Sequence, residues 1–386
     1  MNNYSIPTAP NAFVPPRAGH SSALRTMLIA TAILVALLLG LLTLLLIGLG
    51  TGLVPFLIGF VLATLPVPIY VALALWIDRY EPEPPWTLAT AFFWGALVAI
   101  FIAFVMNTIS GTIVALLAGD QAGELFATVI SAPFVEETSK ALVLFGLFYF
   151  KRDEFDGVID GIVYAAMVGL GFAMTENIQY YGGAVLHGGI AGSVATFILR
   201  GMLAPFSHPL FTSMTGIGLG LASLTTKRGI RLLAPLAGLF VAMSLHGLWN
   251  LSASLSTALY FVVYLLIMVP VFIAVLVTIY YALKREGRIV REQMLTDMQQ
   301  GFFTPQDYEC LCSVRGRMGA SWQAFRHGGV TMWRVRARYH SAASELAFHR
   351  NRIARGLLTP DEAAQAREEL YRRALSELSA QMGQPR

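Results

Sequence analysis

The sequence predicts an all-α protein: a polytopic membrane helical bundle of about eight transmembrane helices, followed by a cytoplasmic helical tail. Hydrophobic residues make up 56% of the 386 residues and charged residues only 13%, and the mean hydropathy is +0.62. This composition is typical of membrane proteins with several spans and excludes an ordinary soluble globular domain. Long apolar runs and the placement of the basic residues point to the same class.

Eight apolar runs are long enough to be spans, since about 20 helical residues cross the roughly 30 Å of bilayer hydrocarbon. They lie at residues 27–49, 53–77, 86–118, 125–150, 158–181, 190–223, 232–251 and 257–283. The third and sixth runs exceed one crossing, so we expect them to be tilted, broken or partly re-entrant. In the sixth run, Pro205 and Pro209 each remove a backbone donor, which predicts an interruption of the helix there.

The basic residues predict the orientation of these spans. Cytoplasmic loops retain Lys and Arg, and with the N-terminus inside, the loops assigned to the outside contain neither residue type. The cytoplasmic groups are Arg17 and Arg25, Arg79, Lys151 and Arg152, Lys227, Arg228 and Arg231, and the tail from Lys284 onward. The sequence therefore predicts a multi-pass protein of the cell membrane with both termini in the cytoplasm.

Three regions follow from this pattern. They are a disordered cytoplasmic leader at residues 1–26, a transmembrane domain at residues 27–283 and a cytoplasmic helical tail at residues 284–386. From residue 284 onward, 17 Lys and Arg residues stand against 11 Asp and Glu residues. This surplus of positive charge favours the lipid bilayer, with its anionic headgroups, as the partner of the tail.

The tail carries three further signals. Thr304 and Thr359 are each followed by Pro and then by an acidic residue within three positions, so we expect both to be helix N-caps. The aromatic and basic stretch WRVRARYH is more typical of a solvated or membrane-facing helix than of a nucleic-acid interface, and no nucleic-acid partner is expected. Cys310 and Cys312 are the only cysteines, which indicates a reducing compartment and no disulfide framework.

Eight ionisable side chains lie inside the predicted spans, where each charge costs roughly 2.5–3.5 kcal/mol on insertion scales. All of them fall between the fourth and the seventh run. Lipid offers nothing to solvate these groups, so they must face one another, a cavity or water, and they are candidate functional residues for that reason. They are Glu136, Glu137, Lys140, Asp160, Glu176, Arg200, His208 and His246.

The spacing of three of these residues predicts a direct interaction. Glu136 and Glu137 precede Lys140 by four and three residues, so on a helix both carboxylates flank one ammonium group. A structural ion pair would explain one acid, whereas the second carboxylate favours a general base. Asp160 lies near the predicted cytoplasmic end of its run and is interpreted as a cap or loop anchor.

Polar residues of the neighbouring runs are expected to reach the same layer. His246 and Asn250 share one helical face, and Glu176 lies at a similar depth with Arg200 of the next run as its expected partner. His208 lies at the predicted interruption. We therefore expect acidic and imidazole side chains from four runs to meet in one polar pocket.

Five motifs follow one another through this region. They are EETSK (136–140), DGIVY (160–164), GFAMTEN (171–177), SHPLFT (207–212) and HGLWN (246–250). In this order they resemble the motifs of the PrsW family of intramembrane proteases, over residues 125–251. That family is related to the CAAX prenyl endopeptidases and the bacterial CPBP proteins, which have His where this chain has Glu176. The departure favours the PrsW branch and disfavours a prenyl-protein substrate.

The resemblance implies a membrane-embedded peptidase that hydrolyses a peptide bond of a membrane protein with a single transmembrane span. The best known function of PrsW-like proteins is the first cleavage of an anti-sigma factor on its extracytoplasmic side. The implied site comprises Glu136, Glu137, Glu176, His208, His246 and Asn250, supported by Lys140 and Arg200.

The predicted chemistry begins with a carboxylate, Glu136 or Glu137, that activates a water molecule to attack a peptide carbonyl. His246, Asn250 or His208 would stabilise the oxyanion and protonate the leaving amine. The interruption between Pro205 and Pro209 is the expected entrance for an unwound substrate.

A metal is a second possibility for the same groups. Glu176, His208 and His246 could supply three ligands of a catalytic zinc, and PrsW-like proteins are classed as metallopeptidases. No H-E-x-x-H motif is present, and the related CAAX enzymes permit a glutamate mechanism without metal. The sequence leaves both mechanisms open.

Two other functions are compatible with these residues. A proton- or ion-coupled transporter is the main alternative, because buried acids and bases beside a broken helix also describe an ion pathway. An inactive membrane scaffold whose tail recruits partners is the other. A serine or aspartyl membrane protease is disfavoured, since neither G-x-S-G nor G-x-G-D occurs.

Overall fold

A computed structural model describes residues 23–152 and 155–383, and every regular element within these ranges is a helix. The all-α prediction is therefore confirmed. The chain divides into two compact units, one formed by Ser21–Asp78 with Glu83–Ile279 and the other containing Arg79–Pro82 and Tyr280–Arg386. The predicted leader lies outside the described residues up to position 22.

The larger unit begins with five helices separated by short breaks. They are α1 (Ala23–Thr51), α2 (Leu53–Thr64), α3 (Val67–Ile77), α4 (Pro85–Phe93) and α5 (Ile100–Ala118), with a π-helical turn at Trp94–Ala99 between the last two. Gly52 separates α1 from α2 with a φ of 83°, a backbone conformation that glycine adopts without a Cβ clash.

The next helices include the four that carry seven of the eight ionisable residues of the predicted spans. In chain order the next helices are α6 (Asp120–Phe126), α7 (Ala132–Phe150), α8 (Val158–Phe197), α9 (Ser207–Ser223), α10 (Arg228–Leu255), α11 (Thr257–Val263) and α12 (Val269–Gln299), and the four that carry these residues are α7 to α10. Three π-helical turns connect members of this series, at Ala127–Ser131, Ile198–Leu203 and Tyr264–Met268. The first and third make α6–α7 and α11–α12 continuous helical rods, whereas the second ends at the break before α9.

Six helical stretches in the described part of the chain are long and apolar enough to cross a membrane, which agrees with a multi-pass membrane protein. The count of eight stays a prediction. Helix α7 is not among the six, since three charged residues interrupt its apolar sequence. The fifth and sixth predicted runs are separated at Gly189 within α8, where φ is 61° and ψ is −159° and the backbone is not helical. The Ser193 hydroxyl donates to the Tyr181 carbonyl at 3.0 Å, so the helical segment after Gly189 folds back against the segment before it.

The predicted interruption in the sixth run is confirmed. The helical turn ends at Leu203, and α9 begins at Ser207. Pro205 lies inside this break, where its missing N–H does not disrupt a helical hydrogen bond. The break places the first turn of α9, including His208, at the end of a helix rather than in its middle.

Helix α8 is the centre of the larger unit, with α2, α4 and α9 packed against it. In the stretch that contains α8, 83% of the most apolar window is buried, against 11–44% in the other five stretches. Glycines let the backbones of α8 and α9 touch. A Cβ on Gly161 would lie 2.0 Å from the carbonyl oxygen of Gly216, and a Cβ on Gly169 would lie 2.7 Å from the nitrogen of Pro209.

The smaller unit is helical, as predicted for the tail. It contains α13 (Pro305–Leu311), α14 (Val314–Ala354, broken at Gly328 and Gly329) and α15 (Glu362–Gln381), and its apolar core includes Tyr80, Met294, Leu311, Leu346 and Leu375. The buried Arg317 guanidinium donates to the Leu311 carbonyl at 2.9 Å and to Ser344 Oγ at 2.7 Å, and burial lowers its pKa to about 10.

One of the two predicted N-caps in this unit is correct. Thr304 caps α13 by accepting a hydrogen bond from the Asp307 amide. The prediction for Thr359 is wrong, because α15 starts two residues later and Asp361 is its N-cap. The Asp361 carboxylate accepts the Ala364 amide at 2.8 Å, which satisfies a donor that Thr359 is too far upstream to reach.

Replacing Gly161 by alanine should destabilise the bundle, because the added methyl group would collide with the backbone of α9 rather than with a movable side chain. We expect a loss of about 1–3 kcal/mol, the usual cost of overpacking, seen as a lower melting temperature in detergent. Gly183→Ala is the matched control on the same helix, since nothing lies within 4 Å of a Cβ at that position. Equal melting temperatures for the two variants would contradict the close packing of α8 and α9.

Candidate active site

Helix α7 presents two acids and one base to the interior of the bundle. Lys140 is fully buried, and its Nζ lies 2.9 Å from Glu137 Oε1 and 3.4 Å from Glu136 Oε2. The ammonium also lies 3.8 Å from the centroid of the Phe172 ring. Both carboxylates therefore flank one ammonium, as their spacing predicts. The three charges are tolerated because each has an opposite charge in contact with it.

Glu137 has partners on both oxygens. Oε1 accepts from Lys140 and lies 3.1 Å from His246 Nδ1 on α10, while Oε2 accepts from the Thr212 hydroxyl on α9 at 2.9 Å. A carboxylate only accepts, so the Nδ1 of His246 carries the proton in this contact and its Nε2 is free to act as a ligand or base. Glu137 thus holds the imidazole of His246 in one orientation.

His208 is fixed in the same way by a different acid. Its Nε2 lies 2.9 Å from Glu176 Oε2 on α8, and its Nδ1 lies 3.0 Å from Lys140 Nζ. An ammonium only donates, so Nδ1 accepts and Nε2 donates to Glu176. Glu176 is also paired with Arg200, whose Nη2 lies 2.5 Å away. The expected pair between neighbouring runs is therefore present.

Arg200 lies on the π-helical turn that precedes the break. Its Nε donates to Asn177 Oδ1 at 2.9 Å, and its guanidinium stacks 3.7 Å from the centroid of the Tyr180 ring. Because Asn177 and Tyr180 are both on α8, these contacts fasten the end of the turn to that helix. Arg200 is thereby held against Glu176.

Glu136, His208 and His246 are brought together at the centre of the site. One ligand atom from each lies within 4.8 Å of the others, and all three residues are buried. Glu136 Oε2 is 3.9 Å from His246 Nε2, and no described residue donates a hydrogen bond to its second oxygen. Among the described residues, this is the group that could hold a metal ion. The sequence predicts Glu176 as the carboxylate ligand beside the two histidines, whereas the structure places Glu136 there.

The residues present fit a metal ion on three observations. Two imidazoles and one carboxylate are a known donor set for catalytic zinc. Each imidazole is oriented by a second carboxylate, which is the usual arrangement around metal-bound histidines. The cluster also holds three carboxylates against two cations, Lys140 and Arg200, so a bound cation would balance its negative charge. Lys140 would compete with the ion for His208 Nδ1.

Two predicted residues lie outside this cluster. Asn250 donates to the carbonyl oxygen of Thr128 at 2.9 Å, so its amide ties α10 to the π-helical turn that leads into α7. Asp160 accepts from the backbone amides of Asp156 and Gly157 at 2.8 and 2.6 Å. It anchors the start of α8, in agreement with its interpretation as a cap.

Sequence reasoning missed three neighbours of the acids and histidines. Thr212 bonds Glu137, Phe172 covers Lys140, and Phe211 stacks on His246 with 5.1 Å between ring centroids. Thr212 has a signal in the sequence, because it lies four residues after His208 and so on the same face of α9. Phe172 has one too, being four residues before Glu176.

A family model described as PrsW family intramembrane metalloprotease matches residues 83–275, a range that contains every residue of the cluster. The chain belongs to the PrsW family. It is 34% identical to Protease PrsW of Geobacillus kaustophilus over 173 residues, which are 45% of this chain and 69% of the relative. It is 30% identical to Protease PrsW of Bacillus subtilis over 185 residues, which are 48% of this chain and 78% of the relative.

Membership of the PrsW family makes this protein an intramembrane protease. The resemblance found in the five motifs is thereby confirmed. The transporter and scaffold hypotheses lose their support, because the buried acids and bases that suggested an ion pathway are part of a family of peptidases. No solved structure matches the chain.

Removing Lys140 should strongly destabilise the protein, because it would leave Glu136 and Glu137 buried without their cation. We expect Lys140→Met to cost about 3–5 kcal/mol, the range for breaking a buried ion pair by removing one partner. The melting temperature in detergent is the measurement. Lys227→Ala, an exposed lysine, is the control and should change stability by less than about 0.5 kcal/mol. Similar melting temperatures for both variants would contradict the assigned role of Lys140.

Proposed function

We propose that this protein hydrolyses a peptide bond of a membrane protein with a single transmembrane span, using the cluster of Glu136, His208 and His246. A membrane-anchored anti-sigma factor is the substrate class that the family resemblance favours. The observation that carries the proposal is the convergence of the three ligand atoms within 4.8 Å inside the bundle. Such a polar group in an apolar surrounding binds and activates water where bulk water is scarce.

Glu136 is the carboxylate that activates the water. Both oxygens of Glu137 are occupied by Lys140, His246 and Thr212, so Glu137 acts as a positioning residue. Glu176 is held by two donors on one oxygen, because both Arg200 and His208 contact its Oε2, and these donors stabilise its charged form. Glu136 faces the two imidazoles and keeps an oxygen to which no described residue donates, which makes it the acid best able to accept a proton.

The reaction requires one proton transfer in each direction. Glu136 accepts a proton from the water as its oxygen attacks the peptide carbonyl carbon. Glu136 then returns that proton to the leaving nitrogen as the C–N bond breaks, which yields a carboxylic acid end and an amine end. His246 holds the attacking water through its Nε2, since its Nδ1 is fixed by Glu137. His208, fixed by Glu176 and Lys140, lies on the other side of the same group.

A divalent metal held by Glu136, His208 and His246 would supply Lewis acidity for the carbonyl and a lower pKa for its bound water. Glu136, His208 and His246 form the site in both mechanisms, with and without a metal ion. Zinc is the metal that this donor set favours.

The substrate reaches the site through the break before α9. Residues 204–206 are not helical, and His208 follows directly. A peptide bond must be exposed from a helix before water can attack it, and irregular backbone at this depth is tolerated only where it lines a cavity or protein. With both termini in the cytoplasm, as the basic residues favour, the protein acts within the cell membrane.

Glu136→Gln should lower cleavage at least about 100-fold, because the amide cannot accept the proton and general-base catalysis contributes about 10²–10⁴-fold. The assay is cleavage of single-span reporters in proteoliposomes, and of the membrane proteins that accumulate uncut when the gene is deleted. Glu124→Gln is the matched control, an exposed glutamate on α6, and should cleave at the wild-type rate. Undiminished cleavage by Glu136→Gln would remove Glu136 from the mechanism.

Purified protein should bind about one zinc ion per chain, measured by elemental analysis after a wash with a weak chelator. Glu136→Gln and His246→Ala should each reduce that content, while Glu124→Gln should not. Zinc at 100 times its Kd should also stabilise the folded protein by about 2.7 kcal/mol, read as a raised melting temperature. If metal-free protein cleaves at the full rate, the metal mechanism is contradicted and the glutamate mechanism without metal is supported.

A further inference from the structure

A cavity of about 220 Å³ lies beside the cluster. Its lining includes Ala204, Phe206, Phe211, Trp249, Met268 and Phe272. These residues come from the break before α9, from α9 and α10, and from the α11–α12 rod. The wall is therefore almost entirely apolar, and four elements of the larger unit build it.

The cavity shares a wall with the active-site cluster. The Phe211 ring stacks on His246 at 5.1 Å between centroids, with 22° between the planes, and meets the Trp249 ring at 6.4 Å. Trp249 is one helical turn beyond His246. One face of Phe211 thus contacts the imidazole of the site, while the residue also lines the cavity.

The rim of the cavity opens on the apolar outer surface of the bundle. Met202 and Leu203 line it and are 62% and 50% exposed. The Tyr264 hydroxyl donates to the Leu203 carbonyl at 2.8 Å, and the Phe206 and Phe272 rings stack at 5.6 Å. These contacts hold the broken segment against the α11–α12 rod, so the rim is formed by ordered side chains.

We infer that this cavity is a specificity pocket, which receives one large apolar side chain of the substrate next to the bond that is cut. The inference rests on the proposed function. The volume is below the about 300–1,000 Å³ of pockets for drug-sized ligands, so it suits a side chain rather than a helix. The lining matches leucine, methionine or phenylalanine. The Phe211 ring separates the cavity from His246, so a side chain in the cavity would lie one aromatic ring away from the imidazole of the site.

The test uses a library of single-span peptides in liposomes, with four randomised positions in the extracytoplasmic half of the span. Mass spectrometry of the products gives the residue frequencies around the cut. Wild type should favour large apolar residues over alanine at one flanking position by about 10-fold or more, the discrimination that apolar pockets provide. Glu136→Gln supplies the uncut background.

Two variants change the pocket in opposite directions. Phe272→Ala enlarges it and should raise the ratio of tryptophan to leucine at that position about 10-fold. Ala204→Leu fills it and should lower the ratio of leucine to alanine by a similar factor. Leu265→Ala is the control, since this exposed residue is in the same rod and does not line the cavity. Ratios within one variant do not depend on how much of the protein is folded.

The outcomes separate this inference from the proposal on which it rests. If all variants cleave with the same flanking preference, the specificity pocket is overturned, while the proposed protease function stands. The same result is expected if a lipid chain fills the cavity. Opposite shifts in Phe272→Ala and Ala204→Leu support it. If Ala204→Leu does not fold, the shift in Phe272→Ala alone decides. A wild type that cuts no member of the library overturns the proposed substrate class and this inference together.

Discussion

The ammonium group of Lys140 connects the parts of the site. It contacts Glu136 and Glu137 on its own helix, the imidazole of His208 on α9 and the Phe172 ring on α8. Its position in the bundle excludes water, so the two acids can remain adjacent only while this charge is between them. The orientation of His208 and the separation of the acids both follow from one side chain with no exposed surface.

The three carboxylates have different tasks because they have different neighbours. Glu137 and Glu176 each orient one imidazole and are each held by a further donor, Thr212 or Arg200. Glu136 has no imidazole of its own to hold and lies between the two. A site built in this way fixes its ligands before any substrate arrives, which is the condition under which electrostatic preorganisation lowers a barrier.

Much of this site could be predicted from the sequence, because charges inside apolar runs have so few permitted arrangements. The spacing of Glu136, Glu137 and Lys140 determines their contact within one helix, and the cost of burial brings the histidines to them. The choice between the two acids could not be predicted. It depends on which side-chain oxygens Thr212 and His246 reach, and that is set by the packing of three helices.

The Gly189 segment and Asn250 show separately what the local sequence pattern predicts and what packing between helices decides. The Gly-rich segment near Gly189 is predicted as the boundary between two runs, and the helix is interrupted there by one non-helical glycine at positive φ. Asn250 shares a helical face with His246, but its amide is bound to the backbone of Thr128. Helical periodicity gives the face on which a side chain lies, and it does not give the partner that the side chain finds across the interface.

The close backbone contact between α8 and α9 has a mechanical consequence. Gly169 meets Pro209 directly after His208, and Gly161 meets Gly216 two turns further along. With no side chain between them, neither helix can slide or roll without steric overlap, so Glu176 and His208 move as one rigid body. Admission of a polypeptide therefore requires displacement on the opposite side of the break, where the α11–α12 rod meets it through side chains, among them the stacked Phe206 and Phe272 rings and the Tyr264 hydroxyl.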